Sequence, residues 1–95
     1  MDLFVGVLRI DLYLAENRSL KERRSVVRSV LDRARARYNV AVCDVSETED
    51  PRHASVAFAC VGAHQHLLRQ TLERLLRRIE TDLPSEVHRA EIEIR

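Results

Sequence analysis

The sequence predicts an α+β sandwich: two helices packed on one face of a four-stranded antiparallel sheet. Three observations carry this. Two segments have apolar residues recurring at three-, four- and seven-residue steps, as an amphipathic helix requires. Four segments alternate or run apolar over the length of a strand. Their order along the chain is strand–helix–strand–strand–helix–strand, the split βαβ arrangement. Ninety-five residues allow one domain, residues 1–95, with a single core.

Leu3 to Leu14 reads as the first strand. Phe4, Gly6, Leu8, Ile10, Leu12 and Leu14 share one face, and Leu3, Val5, Val7, Arg9, Asp11 and Tyr13 share the other. A fully apolar face beside a half-apolar one marks a central strand. Ala15 to Arg18 forms a polar corner. Ser19 then caps a helix running to about Tyr38: its side-chain oxygen can accept from the Glu22 N–H, while Glu22 reaches back to the Ser19 N–H. Leu20, Val27, Val30, Leu31, Ala34 and Tyr38 form the expected buried stripe, and Asn39 is expected to end the helix as a left-handed cap.

Val40 to about Glu47 reads as the second strand, Ser46 to His53 as a charged turn, and Ala54 to Val61 as the third strand, ended by Gly62. The second helix runs from Ala63 to about Leu83, burying Leu68, Leu72, Leu75, Leu76 and Ile79, and Pro84 stops it. Glu86 to Arg95 closes the sheet, with Ala90, Ile92 and Ile94 inward and Arg89, Glu91 and Glu93 outward. Right-handed crossovers put both helices on one side, with the first and third strands central. The predicted fold is therefore a ferredoxin-like βαββαβ sandwich.

Charge is spread unevenly. Between Asn17 and Asn39 there are eight Lys/Arg against Glu22 and Asp32, on a chain of net charge +1. Wound as a helix, Lys21, Arg24, Arg28 and Arg35 fall along one flank of the stripe, with Arg23 and Arg37 on the other. Arg18, Ser19, Lys21, Arg23, Arg24 and Arg28 are thus the candidate anion-binding residues, at the positive end of a helix dipole, and RNA phosphate is the natural ligand. The competing reading is a solvated face with Arg28 paired to Asp32 four residues on, and Glu22 occupying the helix-end N–H groups. The near-neutral whole chain argues against strong non-specific nucleic-acid binding.

The uncovered sheet face supplies a second candidate. Val5, Val7, Ala57, Ala59 and Val61 form a small apolar patch there, with Tyr13 beside it. Such a patch points to a homodimer or partner contact. Base stacking on this face, as RNA-recognition motifs perform it, is rejected: Tyr13 is its sole aromatic, Phe4 and Phe58 turning inward.

Other chemistry is not indicated. His64 and His66 lie two apart on a helix and diverge, so no metal is expected. Cys43 and Cys60 are expected opposite each other on the inward face, as small buried hydrophobes without a disulfide. No Ser/His/Asp set, paired buried carboxylates or nucleotide loop occurs, so neither catalysis nor a cofactor is expected. No apolar run of membrane-spanning length and no secretory signal pattern is present, and a reduced cytoplasmic setting is expected.

Four pieces in order carry a family resemblance. They are Val5-Gly6-Val7-Leu8-Arg9-Ile10, Arg18-Ser19-Leu20-Lys21-Glu22-Arg23-Arg24, Tyr38-Asn39-Val40-Ala41-Val42, and the closing Val-x-x-Ala-Glu-Ile-Glu-Ile of Val87 to Ile94. They resemble the YlxP-like family of small bacterial proteins of unknown function. The resemblance spans almost the whole chain, and Arg-Ser-Leu-Lys-Glu is its most specific part. It implies a ferredoxin-like fold and a bacterial cytoplasmic protein. It also implies an RNA- or ribosome-associated role, because genes of such proteins often neighbour those of translation and ribosome-maturation factors. It brings no catalytic residues. A looser similarity to acylphosphatases, which share the topology, rests on Arg18 and Asn39 and fails because Glu16-Asn17-Arg18-Ser19 lacks the glycines of a phosphate cradle. Two expectations of different class result: an RNA- or ribosome-binding factor using the first-helix flank, or a dimeric protein-interaction module using the sheet face.

Overall fold

The computed structural model describes residues 2–95. Its elements are β1 (Phe4–Tyr13), α1 (Leu20–Arg37), β2 (Ala41–Asp44), β3 (His53–Gly62), α2 (Gln65–Asp82) and β4 (Val87–Ile94). The strands form one antiparallel sheet of order β2-β3-β1-β4, with both helices on one face. This is the ferredoxin-like sandwich that the element order predicts.

The alternation along β1 decides which face is covered. Gly6, Leu8, Ile10 and Leu12 are buried under the helices. From β3 come Val56 and Phe58, from α2 Leu72 and Leu75, all within 1 % of full burial. Phe58 sits between Leu8 on β1 and Val42 on β2, so the largest core side chain lies across three strands. Removing each such side chain from water contributes about 1.5–3 kcal/mol. No helix is long and apolar enough to cross a membrane among the described residues.

Several of the local details that differ from the sequence expectations concern the backbone and the core. Asn39 is not a left-handed cap: no described residue has a positive φ, and Tyr38 ends α1 with extended backbone, its N–H donating to the Ala34 carbonyl. The chain leaves the helix directly into β2, which places Val40 and Val42 against the core. β2 itself stops at Asp44; beyond it the Val45 N–H still donates to the Ser55 carbonyl, and the Asp44 carboxylate accepts from the Ser46 N–H. Cys43 and Cys60 are not opposite each other. Cys43 faces Ala57 on the uncovered side, whereas Cys60 pairs with Gly6 and turns toward the core, where burial pushes its thiol pKa up. The difference at Arg23 concerns the functional surface.

Candidate functional site

The start of α1 is capped as its sequence dictates, with one shift. The Ser19 Oγ accepts from the Glu22 N–H at 3.1 Å. Glu22 Oε1 reaches back to the Arg18 N–H at 2.9 Å, one residue upstream of the N–H expected. A carboxylate therefore stands at the positive end of the helix dipole, where an external anion would otherwise bind. Ser19 is spent on the cap, and any anion must be held on the helix flank.

Arg23 does not belong to that flank. It is only 9 % exposed, and its Nη1 donates to the carbonyls of Thr48, Asp50 and His53 at 2.7, 2.9 and 3.1 Å. The guanidinium ties α1 to the β2–β3 connection and is removed from the candidate anion site. Its position could have been found: Arg23, Val27, Val30 and Ala34 follow the same three- and four-residue steps, and all four are buried. Leu20 and Leu31, which the sequence also places in the stripe, lie at its edge and are half-buried.

Lys21, Arg24, Arg28 and Arg35 are exposed, as the helical wheel predicts. The expected Arg28–Asp32 pair does not form. Asp32 instead accepts from Arg35 Nη2 at 3.0 Å, which leaves Arg24 and Arg28 with no carboxylate partner among the described residues. The two guanidiniums lie four residues apart and flank a cleft of about 320 Å³ between α1 and β2, floored by Val27 and Leu31. Asp44 stands at its far side, engaged by the Ser46 N–H. Arg18 is exposed at the corner before the helix.

The charge asymmetry extends to the whole helix layer. The two helices carry eleven Lys/Arg against five Asp/Glu, and the rest of the chain five against ten. A near-neutral chain is thus split into a cationic helix side and an anionic remainder, and the helix side is the one that attracts an anion.

The uncovered sheet face divides into two halves. Val5 pairs with Val61, and Val7 with Ala59, so the apolar residues are contiguous. Val61 is 67 % exposed, while Val5, Val7, Ala57 and Ala59 are half-buried by their neighbours. Toward the other end the face becomes polar. The Ser55 hydroxyl donates to Asp11 Oδ1 at 2.6 Å, and Arg9 Nε lies 3.3 Å from the same oxygen. Tyr13 is exposed and packs against the His53 ring, with centroids 5.2 Å apart.

The Ser55 bond, then Arg9, hold the Asp11 carboxyl below the ordinary carboxylate pKa. A depressed pKa stabilises the fold above the unfolded-state value and loses that contribution as pH falls through the folded value. Ser55→Ala should therefore raise the Asp11 pKa in a carboxyl-detected NMR titration. Its destabilisation, present at neutral pH, should fade in acid; a loss equal at both pH values would assign Ser55 a packing role alone.

A protein family described as "Protein of unknown function (DUF503)" matches residues 5–92. No curated protein matches the chain. Among solved structures, the chain is similar to "De novo designed protein Foldit4" at 16 % identity and a TM-score of 0.60, covering 99 % of this chain and 97 % of that one. At that identity the likeness concerns the fold alone.

Proposed function

This chain belongs to the DUF503 family of proteins of unknown function, and on that premise we propose that it is a small RNA- or ribosome-associated binding factor holding phosphate on the outer flank of α1. The observation that carries this reading is the pair Arg24 and Arg28: exposed, one helical turn apart, and free of carboxylate partners among the described residues. A guanidinium offers two parallel N–H groups to a phosphate, and fifteen of the sixteen basic residues are arginine. The cationic helix side would orient the protein toward a nucleic-acid backbone, and its anionic remainder would limit binding elsewhere. The resemblance to YlxP-like proteins supports a bacterial, cytoplasmic, translation-linked setting.

Each phosphate contact releases condensed counterions, so log affinity should fall with log salt by about 0.7 per contact on single strands and about 0.9 on duplex. Titration of purified ribosomal subunits and short structured RNAs across salt tests this. Arg24→Ala with Arg28→Ala should weaken binding by about tenfold or more and reduce the slope by about 1.4–1.8. Absence of binding at low salt would overturn the proposal.

The exposed Val61 beside Val5 and Val7 favours a second reading, a homodimer or protein-interaction module closed through the sheet face. That association would show little salt dependence and would survive the double arginine substitution.

A further inference from the structure

A second cavity, of about 560 Å³, lies between α1 and α2 and takes no part in the phosphate reading. Val26 and Val30 from α1 face Leu75 and Ile79 from α2 as its apolar walls, with the Ser25 and Ser29 hydroxyls beside them on α1. Its rim is cationic, with Arg33, Arg37 and Arg78 against the single carboxylate of Asp82. Arg33 Nη1 and Arg78 Nε both lie 3.6 Å from the same oxygen of Asp82, and Arg37 has no carboxylate partner among the described residues.

Two features of this arrangement point to a ligand. Two guanidiniums from different helices converge on one carboxylate oxygen at a distance too long for strong hydrogen bonds, so most of their donors remain unused. The rim also keeps an excess of two positive charges over an apolar trough. A neutral apolar molecule would leave the arginines unanswered, and a cationic one would be repelled. A carboxylate on an aliphatic chain answers both halves of the site. The cavity equals the liquid volume of roughly nineteen waters, enough for about a dozen non-hydrogen atoms with room to spare.

We propose that the groove between α1 and α2 binds a medium-chain aliphatic carboxylate, the chain lying between Val30 and Ile79 and the head group on Arg33, Arg37 and Arg78, with Asp82 competing for two of the three. Asp82 then acts as an internal stand-in for the ligand head. This sets it apart from an ordinary surface ion pair, whose loss would only weaken the structure.

The test is titration of the full chain with decanoate, followed by methyl and amide NMR. Saturable one-to-one binding is expected, with the shifts concentrated at Val26, Val30, Leu75 and Ile79. Arg33→Ala with Arg78→Ala should weaken it by about tenfold. Asp82→Asn should tighten it several-fold, a gain that a folding defect cannot imitate. Decanol and decyltrimethylammonium should give no saturable shifts at the groove. Equal binding of decanol, shifts confined to the sheet face, or an unchanged or weakened affinity in Asp82→Asn would each overturn the proposal. The Arg24→Ala and Arg28→Ala chain should bind decanoate unchanged, so failure here and failure of RNA binding are distinguishable.

Discussion

Arg23→Ala is expected to destabilise the protein by about 2–4 kcal/mol, because three hydrogen bonds from a charged, buried donor are lost at once. For a domain of this size that corresponds to a fall in melting temperature of about 10–25 °C. The reason is geometric. The carbonyls of Thr48 and Asp50 in the β2–β3 connection and of His53 at the start of β3 converge on one point, and of the three only that of Asp50 also accepts a loop N–H, from His53. A single guanidinium reaching across from α1 answers them together. The arrangement is incompletely satisfied, since Arg23 Nε is buried without a partner, so part of the gain is offset by its desolvation. Arg23→Lys should recover only part of the loss: its ammonium has three donors, as many as the carbonyls that Nη1 serves, but sits on a shorter stem than Nη1. Calorimetry gives the size of the effect, and amide hydrogen exchange gives its place: protection should fall first in residues 45–52. A melting temperature within about 2 °C of the parent would refute the role assigned to this residue. Well below the melting temperature, RNA binding in this variant should keep its salt slope, in contrast to the Arg24/Arg28 pair.

Arg23 also shows where the sequence was legible and where it was not. Element order, strand alternation and the two helix stripes were readable because each is a local pattern with one period, and the antiparallel topology followed from crossover handedness. The cap at Ser19 was readable for the same reason. What the pattern assigned poorly was charge. An arginine in the buried stripe looks like a flank residue when apolar character alone defines the stripe, and the carbonyls that make its burial tolerable come from residues 25 to 30 positions later in the chain. Asp32 chose Arg35 over Arg28 by a three-residue rather than a four-residue step, which spacing rules permit equally. The interhelical groove was invisible because it depends on how far apart the two helices sit on the sheet. The Cys43–Cys60 expectation failed through register: Cys43 falls opposite Ala57, three residues short of Cys60, and that odd offset turns it to the uncovered face.

Helix placement on the sheet leads to the second large effect, at Gly6. Gly6→Ala is expected to cost about 1–3 kcal/mol, although the residue lies in a regular strand with no positive φ. An alanine Cβ there would meet Leu72 Cδ1 at 2.8 Å and Leu68 Cγ at 3.0 Å. The first is a methyl at the end of a side chain and can rotate; the second is a branch point close to the helix backbone and cannot yield without moving α2. Glycine at this position therefore lets α2 approach β1, and its role is space. The reduced freedom of an unfolded chain carrying alanine would offset about 0.4–1 kcal/mol, which is why the expected cost is not larger. Gly62 provides the internal control. A Cβ there would meet Leu68 Cδ1 at 3.5 Å, an ordinary contact, so Gly62→Ala should change stability little. A double-mutant cycle in urea separates overpacking from a simple preference for glycine. Leu72→Ala alone should cost about 2–5 kcal/mol, as a fully buried leucine does. Combined with Gly6→Ala, it should cost less than the two changes added together by about 0.5–3 kcal/mol, because the new methyl fills space that the leucine vacates. Strict additivity would mean that the Leu72 methyl is no part of the obstruction, and the cost at Gly6 would then rest on Leu68 Cγ alone.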